Sequence, residues 1–132
     1  MTFEEIRLAI ESRLADWDDA PVAFDNVATQ PSVQTAIDDK DPWVRLTINH
    51  GDSVTGGIGS SPCVRRTGLI QCQVFVDTDA GTKGAAELAD SLAEQLQYWR
   101  DGGLYTLAAS MQRVGHADGW YQINVAVPFR AD

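Results

Sequence analysis

The sequence predicts an α+β protein: a largely antiparallel or mixed β-sheet of about five strands with two helices packed on it, in the order α-β-β-β-α-β-β. Three observations predict it. Two segments carry apolar residues at the three-to-four spacing of a helix face, and several others alternate apolar and polar with the period of a strand. The glycine-bearing connections at residues 49–63 and 115–119 are of the hairpin type, which favours antiparallel neighbours. At 132 residues and 14.4 kDa the chain has the length of one domain, residues 1–132, with enough apolar surface to bury a core unaided.

Thr2 followed by Glu5 is a capping-box signature. Behind it Ile6, Ile10, Leu14 and Trp17, joined by Phe3 and Leu8, mark a helix over about residues 3–17. Asp16, Asp18, Asp19 and Pro21 stop it, because carboxylates oppose the negative end of the helix dipole. Val22-Ala23-Phe24 reads as a short strand, and the polar stretch 25–41 as a loop with room for one turn of helix. In Trp43-Val44-Arg45-Leu46-Thr47-Ile48, Val44, Leu46 and Ile48 share one face and Trp43, Arg45 and Thr47 the other.

Residues 49–63 contain Gly51, Gly56, Gly57, Gly59 and three serines, and few apolar side chains. They predict a long flexible loop, poorly ordered in a free subunit. Arg65 to Val76 reads as a long strand, with Ile70, Cys72, Val74 and Val76 on one side and Leu69, Gln71, Gln73 and Phe75 on the other. Thr82 is the expected N-cap of a second helix over about 83–99, whose stripe is Ala85, Leu88, Ala89, Leu92 and Leu96. Asp101-Gly102-Gly103 ends it. Leu104 to Arg113 reads as one strand, 115–119 as a hairpin loop, and Trp120 to Phe129 as the last strand, with Tyr121, Ile123, Val125, Val127 and Phe129 on one face.

Ten Lys and Arg against nineteen Asp and Glu leave a net charge of −9. The acid is uneven: residues 1–42 hold ten carboxylates and three cations, and the remaining ninety positions nine and seven. That balance disfavours a phosphate-gripping nucleic-acid binder and docking on anionic lipid. No uncharged apolar run reaches membrane-spanning length, and the acidic start Met1-Thr2-Phe3-Glu4-Glu5 does not read as a signal peptide. With two cysteines, Cys63 and Cys72, the expected setting is a reducing cytoplasm.

The chemistry-bearing motifs fail on inspection. Gly51 and Gly56 have the spacing of a phosphate loop, but Gly57 and Ile58 stand where its Lys and Ser/Thr belong. Gly57-Ile58-Gly59 opens a dinucleotide fingerprint that stops at Pro62. Asp77-x-Asp79 begins like a calcium loop, yet Thr82 and Leu88 occupy its obligatory Gly and Glu positions. His50 and His116 lack ligand or catalytic partners at useful spacing, Cys72 sits among strand hydrophobes, and Cys63 has no indicated base. No catalytic residue, metal or cofactor is expected.

Five residues stand out instead as candidates for a subunit or partner interface. Arg65 and Arg66 follow the glycine-rich loop, and are either grips for a carboxylate or solvated side chains at a strand entrance. Trp43 and Arg45 lie on the less apolar face of their strand, and Trp120 opens the last one. Trp and Arg are favoured in interface centres, whereas the plainer reading of the tryptophans is core packing.

In their order these segments resemble the tail terminator, or tail completion, proteins of long-tailed phages and prophages. The resemblance rests on the helix Ile6-Arg7-Leu8-Ala9-Ile10-Glu11-Ser12-Arg13-Leu14, then Val22-Ala23-Phe24-Asp25-Asn26-Val27, then the aromatic-led strand Trp43 to Ile48. It continues through Arg66-Thr67-Gly68-Leu69-Ile70-Gln71-Cys72-Gln73-Val74-Phe75 and Gly81-Thr82-Lys83-Gly84-Ala85-Ala86 into Glu87-Leu88-Ala89-Asp90-Ser91-Leu92, and ends with Gly119-Trp120-Tyr121-Gln122-Ile123-Asn124-Val125.

The resemblance implies a virion structural protein without enzymatic activity. Such a protein assembles in the host bacterial cytoplasm and resides in the tail. It forms a hexameric ring that caps the tail tube, stops its polymerisation and presents a surface for head–tail joining. The partners implied are further copies of the chain, the tail tube protein and a head-completion or connector protein; no sequence-specific nucleic acid and no membrane is implied. Copies each carrying −9 repel one another, so assembly is expected to strengthen with ionic strength or magnesium. The alternatives are another virion subunit, of tail tube or head–tail connector, and a small ligand-binding domain or enzyme with the glycine-rich loop as its lid.

Overall fold

The computed structural model describes residues 1–132. Three helices, α1 (Phe3–Ala15), α2 (Pro31–Asp39) and α3 (Lys83–Leu96), accompany eight strands. The strands are β1 (Val22–Ala23), β2 (Trp43–His50), β3 (Val54–Thr55), β4 (Val64–Asp77), β5 (Arg100–Asp101), β6 (Leu104–Thr106), β7 (Ser110–Ala117) and β8 (Trp120–Ala131). They form one mixed sheet in the order β1-β2-β4-β8-β6-β5, with β3 also beside β4 and β7 also beside β8. Only the β1–β2 pairing is parallel. No helix is long and apolar enough to cross a membrane.

The α+β class and the mixed sheet stand as expected, and the counts of two helices and five strands are corrected to three and eight. The expected loop 25–41 contains α2. Pro31 occupies its first turn, where a missing N–H costs nothing, and Val33 and Ala36 turn one face inward. Lys40 caps its end in the left-handed conformation, at φ 59°. The expected loop 49–63 starts later and is interrupted by a short strand. β2 runs on to His50, and β-branched Val54 and Thr55 pair with Arg65 and Val64.

The strand expected over 104–113 is divided. β6 pairs with the C-terminal part of β8 and β7 with its N-terminal part. Between them the Leu107 N–H donates to Pro128 O at 2.9 Å. In an antiparallel ladder a residue's N–H and C=O point to the same side, so the N–H that Pro128 lacks is missing on this side. The ladder lapses there over residues 107–109. The 115–119 loop contracts to a two-residue turn, Asp118 and Gly119, both at positive φ (51° and 83°), the backbone that a tight hairpin demands.

Helix ends are set locally. Thr2 Oγ1 accepts the Glu5 N–H at 3.0 Å, and α1 stops at Ala15, two residues before the expected end, though Trp17 stays buried. α3 stops at Leu96 instead of 99, because Tyr98 turns left-handed at φ 52° and the chain reverses into β5. Buried Thr106 ties that corner: its hydroxyl donates to Leu96 O at 2.5 Å and accepts the Trp99 N–H at 2.8 Å.

The two faces of the sheet differ. α1 and α3 cover one, where Val44, Leu46, Ile70, Cys72, Val74, Ile123, Val125 and Val127 meet Ile6, Ile10, Leu14, Leu92 and Leu96 in a cluster of 22 buried residues. Gly68 belongs to this face because the Phe129 ring lies over it. A Cβ there would sit 2.6 Å from Phe129 Cε1 and 2.7 Å from Asn49 O. The other face has a cluster of only 5, made by Val33 and Ala36 of α2 with Trp43, Phe75 and Trp120. Beyond it that face carries no helix.

Candidate functional site

Strand periodicity carries Trp43 and Arg45 to the lightly covered face, and the β4–β8 register brings Trp120 to the same end of it. Trp43 stacks on Phe75, with ring centroids 4.3 Å apart and planes 17° apart, and meets Trp120 edge-on at 6.2 Å. Both tryptophans are more than nine-tenths buried, under α2. Lys40 Nζ lies 4.5 Å over the Trp120 ring, and the exposed Arg45 guanidinium lies 5.3 Å from the Trp43 ring and 5.4 Å from Phe75. Trp43, Arg45 and Trp120 are therefore brought together. The Trp43 indole N–H is buried without a hydrogen-bond partner. Beside it, a cavity of about 260 Å³ is lined by Phe24, Asn26, Gln30, Val33, Trp43 and Arg45, among others.

Arg65 and Arg66 sit elsewhere, ten and nine positions along β4 from Phe75, about 30 Å away at strand rise. Arg65 Nε donates to Asp132 Oδ1 at 2.8 Å, and this carboxylate raises the already high guanidinium pKa. Arg66 Nε donates to Met1 O at 3.1 Å and one of its NH groups to Ser53 Oγ at 3.2 Å, while its guanidinium lies 3.9 Å from the Phe3 ring centre. The two arginines brace the base of a hairpin arm made by β3, residues 56–63 and the start of β4. Val54, Ile58 and Val64 are exposed on that arm, Ile58 completely.

Of the histidines, His50 meets the Phe3 and Phe129 rings edge-on at 5.1 and 6.1 Å, and His116 meets Tyr121 at 5.5 Å. Cys63 is exposed on the arm. Cys72 is buried, and burial pushes its thiol up to about 12, so it stays protonated at neutral pH.

A feature that the sequence reading missed lies next to Arg45. Gln112, Asn124, Gln73 and Arg45 are successive cross-strand partners, one row of polar side chains over four strands. The next row is Ser110, Ala126, Gln71 and Thr47. Arg45 donates to Gln73 Oε1 at 3.4 Å, Asn49 to Gln71 Oε1 at 3.0 Å, and Gln122 to Asn124 Oδ1 at 2.9 Å. The signal was present: Gln71 and Gln73 in β4, and Gln122 and Asn124 in β8, alternate with apolar residues where charged groups are usual on a solvated face.

The family model described as Phage tail terminator protein matches residues 5–129. A solved protein chain, whose name carries no description of function, is similar at a TM-score of 0.73 and 19% identity. The likeness covers 100% of this chain and 96% of that one, and it speaks for the fold alone. No curated protein matches.

Proposed function

The chain belongs to the phage tail terminator protein family and has a structural role in the phage tail, and from this premise we propose that it closes into a ring of six that caps the tail tube. In this reading the ring ends tube polymerisation and offers its far side to a head-completion or connector protein. The family is a structural one, and the reading assigns the chain no catalysis. Assembly takes place in the host cytoplasm before the finished tail joins the head.

What supports the ring is the distribution of unsatisfied surface. Beyond α2, one sheet face is left without a covering layer, and an arm with exposed Val54, Ile58 and Val64 extends from one end of the sheet. Neither has anything to pack on within the subunit, and a neighbour in a closed assembly covers both. The braces at Arg65 and Arg66 fix the direction of the arm, so charge reversal at either loosens it and weakens assembly.

Light scattering behind a sizing column, over a range of protein concentration and magnesium, tests the ring. A finite particle of six copies is the expected result, and its response to magnesium reads the balance between relieved repulsion among subunits of charge −9 and weakened ion pairs between them. Purified tail tubes stop elongating when the protein is added. An open-ended polymer would move the chain to the tube subunits, and a strict monomer that also leaves tubes uncapped would overturn the ring.

A further inference from the structure

The bare sheet face is unusual for this chain in its charge. From the Trp43–Phe75–Gln122 row to the Asn49–Leu69–Pro128 row, its side chains on β2, β4, β8 and β7 include no Asp or Glu. This holds in a molecule with nineteen carboxylates. The one charged group amid these rows is Arg45, exposed and held over the Trp43 and Phe75 rings. Its neighbours are amides and hydroxyls, which accept and donate hydrogen bonds without repelling an approaching carboxylate.

Apart from Asp38 and Asp39 on α2 and Asp25 beside the cavity, which flank one end of this face, a group of unpaired carboxylates lies on the opposite, helical side of the fold. α1 and α3 are joined at one corner, where Trp17 Nε1 donates to Ser91 Oγ at 2.8 Å, Ser91 donates to Asp19, and Arg13 Nε donates to Gln95 O at 2.8 Å. Around this corner Asp16, Asp18, Asp90 and Glu94 are exposed, and none has a Lys or Arg within 4.0 Å. Glu87, Asp90 and Glu94 recur at helical spacing along the exposed side of α3.

We propose that the bare sheet face of one copy seats on the α1–α3 corner of the next, with Arg45 meeting the carboxylates of α3; this rests on the ring reading and names its contact. Sheet and helices are opposite layers of the subunit, so the contact joins unlike surfaces. Such a contact repeats from copy to copy and closes into a ring when the rotation allows. The sheet face buries amides that find partners on the helices, and the exposed carboxylates of the helix corner gain a cation to pair with.

Two charge reversals test the pairing, Arg45→Glu on the sheet and Asp90→Arg with Glu94→Arg on the helix, read by light scattering against concentration. Each alone is expected to raise the concentration for half-assembly about 30-fold or more, as loss of a charge pair turned to repulsion does, with an unchanged circular dichroism spectrum. Gln112→Glu, a nearly isosteric change at the exposed end of the Arg45 row, moves assembly in the same direction and covers the case in which Arg45→Glu disturbs the aromatic stack. Mixed in equal amounts, the two reversed proteins are expected to assemble again, because each then meets opposite charge on both sides. Rings of Arg45→Glu and of Gln112→Glu at the wild-type concentration would overturn the contact and leave the ring intact. Folded variants that stay apart when mixed would show that these two surfaces do not meet. A wild-type monomer that leaves tail tubes uncapped would remove the ring reading, and this contact with it.

Discussion

Leu46 and Thr47 are neighbours on β2, and Cys72 and Gln73 are neighbours on β4, yet each pair divides between two environments. Leu46 and Cys72 point beneath α1 and α3, with 1% and 0% of their surface exposed. Thr47 and Gln73 are half-buried, on the face that only α2 covers, and there only at one end. The same strands thus serve two purposes at once. One set of alternate residues holds the subunit together, and the other presents a row of hydrogen-bonding side chains that no helix of the subunit covers beyond α2. Period-two geometry makes the division possible, since substitution on one face leaves the other nearly untouched.

The largest break in that comparison comes from the covered side. Leu46→Ala is expected to cost about 3 kcal/mol in chemical denaturation, from lost burial and the cavity it leaves. Thr47→Ala beside it should stay within about 0.5 kcal/mol. Equal costs would mean the faces are not different in kind. Gly68→Ala probes the same side by crowding. It forces the Phe129 ring and the Asn49 carbonyl to move and should cost about 2 kcal/mol, read as a lowered denaturation midpoint. Thr106→Val keeps the shape and leaves the Trp99 N–H and Leu96 C=O short of a partner, for about 1–2 kcal/mol.

Alkaline titration sharpens the comparison at β4. Cys72 ionises at about 12 in the fold and near 9.0 when exposed. A raised folded value means that stability is complete below pH 9 and is lost as pH rises from 9 toward 12, at no more than about 1.4 kcal/mol per pH unit. Cys72→Ala should remove that slope while Gln73→Ala leaves it, and melting curves at stepped pH read the difference. At the acid end the effect is smallest. Exposed Glu4 is held below the usual carboxylate range by its hydrogen bond to Arg7, so its support for α1 is present above that range and fades as pH falls through it. Glu4→Gln should flatten only the acid limb of the melting curve.

Much of the covered face was legible because its signals are local. The stripe Ile6, Ile10 and Leu14, and the alternation Ile70, Cys72, Val74 and Val76, each repeat often enough for the period to declare itself. α2 had the same kind of signal in Pro31, Val33 and Ala36, but at nine residues it was short and lay in a polar stretch. β3, β5 and β6 have two or three residues each, too few to show any period. The candidate interface residues were legible as types and not as places. Trp43 and Trp120 are aromatic in any reading, and only their spacing against Phe75 and α2 makes them a buried cluster.

The sequence by itself determined the class of the fold, the inward set of residues on β2, β4 and β8 and, through an ordered run of segments along nearly the whole chain, the family. Each of these depends on relations between residues near one another in the chain, or on their order. The tertiary structure alone decided what those residues meet. It brought Gln112, Asn124, Gln73 and Arg45 from four strands into one row, set Arg65 against Asp132, and brought Asp16 and Asp18, just past the end of α1, to the same corner as Asp90 and Glu94 of α3. Partners so far apart in the chain leave no periodic mark in a single sequence, because strand register and helix docking are chosen by the packing of the whole molecule.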